Sequence, residues 1–385
     1  MQAALVPACL VLTATLTACG SDANSPASSG AKATGSTTTG SGADCPSGTI
    51  NSEGSSAQKN AIELAITAYQ DACSGATVNY NPTGSGAGIK QFIAKQVDFA
   101  GSDSALKTVA VNGVVEAEAA ARTCGSPAWD IPMVAGPIAI AYNLPGITTL
   151  TLNAEVAAKI FNGTITTWND PAIAALNGGV TLPNTAIKVF FRSDESGTTE
   201  NFTKYLHAAA PTVWTADPGK KWTGKGEGKE KSAGVASAAA STPGGVTYAE
   251  WSYATQNKLG VAQIDSGAGA VALTGASAGK AVAAATQKGQ GNDLALSLKY
   301  DTTEAGVYPI ILVTYEIVCS TYADKAKAIG VKSFLRFFAS PQVQTTLEAA
   351  GYAPLPDAVQ AKVATAINPT SNQFLQTFYH VRIHK

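Results

Sequence analysis

From about residue 49 onward, short β-prone runs alternate with stretches in which apolar side chains recur at helical spacing. Thr49 to Asn51 reads as a short strand, and a helix follows from about Ala57 with Ile62, Ile66 and Tyr69 on one face. Thr77 to Tyr80 predicts a second strand, Gly86 to Lys95 a second helix, and Val97 to Ala100 a third strand. Such a β-α-β-α-β rhythm implies a parallel sheet with right-handed crossovers. Ile131 to Tyr142 is a longer apolar strand region, interrupted by Pro132, Gly136 and Pro137.

A second unit begins near Pro145. It offers a helix over Ala154 to Phe161 stopped by Asn162-Gly163, a strand over Ile187 to Phe191, and a helix over Thr198 to His207. Gly219 to Ser232 is rich in Gly and Lys and is expected to be an exposed loop. Near Gly306 the pattern turns strongly β again, through Tyr308 to Val318. A helix from Lys325 to Ala339 follows, with Ile329, Phe334, Leu335 and Phe338 available for burial. The expected organisation is two α/β lobes. The first is built from residues 45–142 and 306–385, and the second from 143–305.

The chain has 385 residues, which is long enough for two domains that each bury a core. Its first residues carry a different pattern. Ala3 to Thr17 is apolar or small and too short to span a bilayer, as in an export signal, although no Lys or Arg precedes it. The run ends in Leu16-Thr17-Ala18-Cys19, which resembles a lipobox, so residues 1–18 are expected to be a signal and Cys19 a lipid-modified amino terminus. Residues 19–44, almost wholly Ser, Thr, Gly, Ala, Asp and Asn, cannot bury enough surface to fold and suit a flexible tether. Cysteine usage fits export. Beyond Cys9 and Cys19, the chain has Cys45, Cys73, Cys124 and Cys319, enough for two disulfides with three possible pairings. None has C-x-x-C spacing or a nearby His, so no metal site is expected. A formal net charge of −1, with 14% charged residues, argues against a nucleic-acid partner. A hydrophobic share of 45% argues against disorder.

Three segments share one design: each follows a strand, carries small hydroxyl or Gly residues, and opens a helix. They are Glu53-Gly54-Ser55-Ser56-Ala57, Thr83-Gly84-Ser85-Gly86-Ala87-Gly88, and Arg192-Ser193-Asp194-Glu195-Ser196-Gly197-Thr198-Thr199. A helix start presents unpaired N–H groups and a partial positive charge, Gly lets an anion approach the backbone, and Ser or Thr adds a donor. Any one of these segments alone reads better as ordinary capping. Three together, one with an Arg whose fork matches a tetrahedral oxyanion, point to an anion site. Asp194 is placed to hold Arg192. In Asp98-Phe99-Ala100-Gly101-Ser102-Asp103, a strand delivers Asp103 to its C-terminal end, where α/β proteins place ligands. A carboxylate there fits a ligand that carries a proton, as phosphate does at neutral pH and sulfate does not.

With these motifs the chain resembles the periplasmic phosphate-binding proteins of the PstS type, over roughly residues 45 to 365. Tyr142-Asn143-Leu144-Pro145-Gly146, Ile165-Thr166-Thr167-Trp168-Asn169-Asp170-Pro171 and Tyr308-Pro309-Ile310 add to the likeness, and the cysteines and lipobox look most like mycobacterial-type lipoproteins. The resemblance implies a type II periplasmic-binding-protein fold, two α/β lobes joined by two hinge strands, with crossings near Ala139–Asn143 and Pro309–Thr314. It implies inorganic phosphate between the lobes, bound without metal or cofactor by Ser56, Ala57, Ser85, Asp103, Arg192, Ser196, Gly197 and Thr198. At Ala57, where the family often has an aromatic residue, only the backbone N–H would serve. The partners implied are the permease subunits of a phosphate ABC importer and the membrane reached through the lipid anchor, and the expected state is a monomer. Residues after about Asn368 match nothing in the family.

Among the three pairings, Cys45–Cys73 and Cys124–Cys319 are expected. Cys45 and Cys73 each precede a strand of one parallel pair. The other bridge would join an early loop of the first lobe to its returning C-terminal segment. The competing readings are a secreted phosphatase or other hydrolase, a receptor for sulfate, molybdate or phosphonate, and a surface antigen that kept the fold. A hydrolase needs a nucleophile with a base, or metal ligands. His207, His380 and His384 have no such motif around them. No catalytic residue is expected.

Overall fold

The computed structural model describes residues 45–111 and 113–367. The expected signal (1–18), the tether (19–44) with its lipidation site Cys19, and the unmatched tail after Asn368 lie outside the described residues. No helix among the described residues is long and apolar enough to cross a membrane.

One nine-stranded sheet organises the molecule. In spatial order its strands are Ala76–Asn81, Gly48–Gly54, Phe99–Ser102, Ile311–Cys319, Ala128–Tyr142, Gly245–Glu250, Lys188–Arg192 and Glu227–Lys229, and Gly260–Val261 pairs with the far end of Ala128–Tyr142. Pairing is parallel at both ends of the sheet, where helical crossovers join the strands. In the middle it is antiparallel, because Ile311–Cys319 returns from the far part of the chain and runs against both neighbours. The parallel sheet expected from the opening rhythm is therefore real but only three strands wide.

The strand Ala128–Tyr142 belongs to both halves. Ala128 to Pro137 pairs with Ile311–Cys319, and Ile138 to Tyr142 pairs with Gly245–Glu250. The change of partner falls at Pro137–Ile138, just ahead of the crossing expected at 139–143. Proline cannot donate to a ladder and is tolerated in a central strand only at irregularities. Pro137 stands at this change of partner, and Pro132 stands at a register shift opposite Thr314 and Tyr315.

The first half packs Ile50, Tyr69, Phe99, Met133, Phe334 and Phe338. The second packs Ile140, Trp168, Phe202, Tyr248 and Ile264. Two expectations need correction. Ile329 is 54% exposed, not buried. It lies five residues before Phe334, off the stripe that Val331, Phe334 and Phe338 present to the core. Residues 219–232 are not all exposed loop. They include the strand Glu227–Lys229, and Ser232 is buried at the start of the helix Lys231–Ser241. The helix Gly275–Ala283 packs Ala278, Ala281 and Val282 against Ala135, Val313 and Tyr315, so this part of 143–305 lies on the strands of the first half.

Both expected disulfides are present. Cys45–Cys73, with a Cα separation of 5.1 Å, ties the start of the first strand to the end of the helix Lys59–Ala72. Cys124–Cys319, at 5.4 Å, ties the helix Glu116–Cys124 to the end of the returning strand. Chain entropy alone gives the two bridges roughly 3–4 and about 5 kcal/mol, the larger value going to the longer loop.

Candidate functional site

The three oxygen-rich turns meet at the C-terminal ends of their strands. Close packing of glycine backbones permits it. A Cβ on Gly54 would lie 2.0 Å from the Gly101 carbonyl oxygen, and one on Gly88 would lie 2.5 Å from the Gly54 Cα. Gly54 also has a φ of 143°, a conformation that side chains disfavour. These positions draw the helix Ser85–Ile93 down onto the strand ends and carry Ser85 to Asp103.

Asp103 is almost fully buried. Its Oδ1 accepts from Ser55 Oγ at 2.5 Å and from Thr314 Oγ1 at 2.7 Å, and its Oδ2 accepts from Ser85 Oγ at 3.0 Å. A carboxylate has about four acceptor directions. Three are used, and the fourth, on Oδ2, faces the start of the helix Gly197–Ala209. A Cβ on Gly197 would come within 2.8 Å of that oxygen and 2.6 Å of Ser85 Oγ. Burial lifts the Asp103 carboxyl to about 6. The hydroxyls of Ser55, Thr314 and Ser85 oppose that rise, and the nearby Glu250 carboxylate adds to it.

Arg192, 2% exposed, ends the strand Lys188–Arg192. Asp194 grips it from two residues on: Nε donates to Oδ1 at 2.7 Å and Nη2 donates to Oδ2. That pairing keeps the guanidinium charged against its burial and holds the Asp194 carboxyl below its usual range. The remaining edge, Nη1, donates to Ser232 Oγ at 3.1 Å and more loosely to Thr198 Oγ1 at 3.4 Å. An aromatic wall holds the strand end in place. Tyr248 OH accepts the Arg192 N–H, and its ring stacks on Phe202 with centroids 4.6 Å apart.

The remaining expected residues fall in the same place. Ser196 caps the helix Gly197–Ala209 by accepting from Thr199 N–H, and its hydroxyl proton stays available. The first N–H groups of that helix have no partner within it. Ser56 Oγ is 3.0 Å from Ser232 Oγ and accepts the Ser232 N–H, while Ala57 N–H donates to Ser55 Oγ. Ser56, Ala57, Ser85, Asp103, Arg192, Ser196, Gly197 and Thr198 are all buried, and together they line one locus.

Contacts from the two halves close over this locus. Gly86 N–H donates to the Glu195 carbonyl, Asn201 Nδ2 to the Asp103 carbonyl, and Lys231 Nζ to the Thr83 carbonyl. Beside them Glu200 is buried among Lys107, Lys204 and Lys220, whose charges keep its carboxyl far below the usual range against the cost of burial.

Four participants were not anticipated. Ser55 lies in the first of the three motifs, one residue before the expected Ser56. Ser232 was hidden in the Gly- and Lys-rich stretch. Thr314 sits in an apolar strand whose sequence does not show which face meets the site. Glu250 accepts from Thr198 Oγ1 at 2.5 Å and is wholly buried, with nothing in its local sequence to mark it. Behind Asp103, Glu316 is buried beside Gln58, and burial lifts its carboxyl to about 8. No group of three or more His, Cys, Asp or Glu able to hold a metal occurs among the described residues.

A family model described as a PBP superfamily domain matches residues 32–342. Phosphate-binding protein PstS2 of Mycobacterium bovis is 45% identical over 364 residues, covering 93% of this chain and 96% of its own. Phosphate-binding protein PstS 3 of Mycobacterium leprae is 44% identical, covering 92% and 95%. A solved high-affinity periplasmic phosphate-binding protein bound with phosphate superimposes with a TM-score of 0.66 at 24% identity, covering 83% of this chain and 93% of that one. A phosphate binding protein from Stenotrophomonas maltophilia gives 0.64 at 19%, covering 83% and 94%. Those two likenesses speak for the fold alone, and the sheet crossing described above is that of a type II periplasmic-binding protein. By its matched length and its identity to the mycobacterial proteins, this chain belongs to the PstS family of phosphate-binding proteins within the PBP superfamily.

Proposed function

We propose that this chain is an extracytoplasmic receptor that binds inorganic phosphate between two lobes and delivers it to the permease subunits of an ABC-type importer. Phosphate would be held by Ser56, Ser85, Asp103, Arg192, Ser196 and Thr198, with the N–H of Gly197 and that of Ala57, which would turn from Ser55 Oγ to the ligand. The observation that carries this reading is the Asp103 carboxylate, with one acceptor direction left and facing a helix N-terminus, in a buried site that also holds Arg192. Cation and helix dipole attract an oxyanion, and the carboxylate asks that it bring a proton. The names of the relatives agree with it.

The lobes are 45–142 with 306–385, and 143–305, with the helix Gly275–Ala283 leaning on the first. They close over the ligand, and a monomer is sufficient, since each lobe supplies part of the site. Lipid on Cys19 would hold the protein at the outer face of the membrane. The protein is read as a binder and not as an enzyme. His207, the one histidine among the described residues, lies roughly 14 Å of helix rise beyond Thr198, too far to serve as a base there.

Equilibrium dialysis against phosphate, with sulfate as competitor and a phosphatase assay on the same sample, tests the reading. Saturable phosphate binding that sulfate does not displace, without release of phosphate from an ester, is expected. Preferential sulfate binding or ester hydrolysis would overturn it.

A further inference from the structure

Glu250 ends the strand Gly245–Glu250 and is fully buried. Its Oε1 accepts the Thr198 hydroxyl proton at 2.5 Å, and its Oε2 has no hydrogen-bond partner. The groups facing it come from every neighbouring element, and none offers a proton to Oε2. Tyr253 donates instead to the Ser56 carbonyl at 2.9 Å, and Tyr352 to the Ala57 carbonyl at 2.7 Å. Arg192 is committed to Asp194, Thr198 and Ser232, and Asp103 is itself an acceptor.

Two difficulties follow for a bound anion. The Arg192 guanidinium lies among the carboxylates of Asp194 and Glu250, the Asp103 carboxylate lies near Glu250, and the half-buried Lys231 ammonium is 3.8 Å from Asp194. An incoming dianion deepens that imbalance in a dry site. Thr198 also has one hydroxyl proton, and Glu250 holds it, so it is not free for the ligand.

One event removes both difficulties. We propose that Glu250 takes up a proton from solvent as the anion binds and so acts as a positioning residue for Thr198. The new O–H on Oε1 donates to Thr198 Oγ1, and the Thr198 proton turns to a ligand oxygen. No covalent bond to the ligand forms or breaks, and the site gains one donor and loses one negative charge. The unpartnered Oε2 becomes a neutral carbonyl oxygen, which is cheaper to bury than half of a carboxylate.

The inference rests on the phosphate-receptor reading. It is tested by calorimetric titration of the intact protein with inorganic phosphate near pH 8, in two buffers of different ionisation enthalpy. The wild type should take up about one proton per phosphate. Glu250→Gln should still bind but lose this uptake, because its amide already donates to Thr198, and its affinity should fall less steeply as pH rises. Thr198→Ser keeps the hydroxyl and should keep the uptake, whereas Thr198→Val should lose it. Equal uptake by wild type and Glu250→Gln, or none in the wild type, overturns the proposal. A wild type that gives no phosphate signal would overturn the receptor reading itself, and this inference with it.

Discussion

The two halves that meet at the candidate site are built on opposite electrostatics. On one side Ser55, Ser85 and Thr314 surround the Asp103 carboxylate, and no cation among the described residues pairs with it. On the other, Arg192 is buried and clamped by Asp194, and the helix Gly197–Ala209 points its N-terminus inward. On the proposed reading, the second side would attract any oxyanion, and the first would repel all of them except one that carries a hydrogen. Attraction and selectivity would then reside in different side chains on different halves of the sheet, where mutation can separate them.

The sharpest separation is expected from Asp103→Asn. An amide accepts from phosphate but can also donate to sulfate. The phosphate-to-sulfate affinity ratio should collapse by on the order of 10³–10⁴-fold, while phosphate affinity itself falls much less. Paired titrations with the two anions read it, and an unchanged ratio would remove Asp103 from its proton-sensing role.

Arg192→Ala tests the other side. It should weaken phosphate and sulfate alike, by about 2–5 kcal/mol each, because it also leaves Asp194 buried without its partner. Unequal losses for the two anions would mean that attraction and selectivity are not divided as described.

A smaller effect comes from pH alone. Burial lifts Asp103 to about 6, so below that pH its carboxyl increasingly holds its own proton and becomes a donor. Sulfate affinity should then rise, approaching tenfold per pH unit, as pH falls from about 6 toward 4. Asp103→Asn should make the slope shallower, removing the share that belongs to Asp103. A sulfate affinity that is flat across this window in the wild type would count against a titrating Asp103.

The residues that define the two sides differed in how legible they were. Arg192, Asp194 and Ser196 to Thr198 lie within eight residues of one another, so a strand end and a helix start were enough to place them. Asp103 was legible because it directly follows a strand end. The hydroxyls around it were not. Thr314 is 211 residues away in sequence and reaches Asp103 only because its strand inserts in the middle of the sheet. Ser232 lies in a stretch whose Gly and Lys content signals exposure, yet the short strand Glu227–Lys229 pulls it inward beside Arg192. Helices and strands followed local periodicity well. The central antiparallel pairings did not, since they depend on where a distant strand returns. Ile329 shows the same limit on a smaller scale: an apolar residue in a helix is buried only if it shares the stripe that faces the core.

The returning strand Ile311–Cys319 also bears on how this chain can be assembled. It fills the gap between Phe99–Ser102 and Ala128–Tyr142, so a chain that ends before it has two facing strand edges and nothing to join them. Exposed edges of that kind invite pairing with other chains. Contacts this distant also make folding slow, because a long loop must close before they form. The sheet around Phe99–Ser102 and Ala128–Tyr142 is therefore completed only once residue 319 has been made. Truncations anywhere before residue 319 should give aggregating material, with no smaller folded domain among the products.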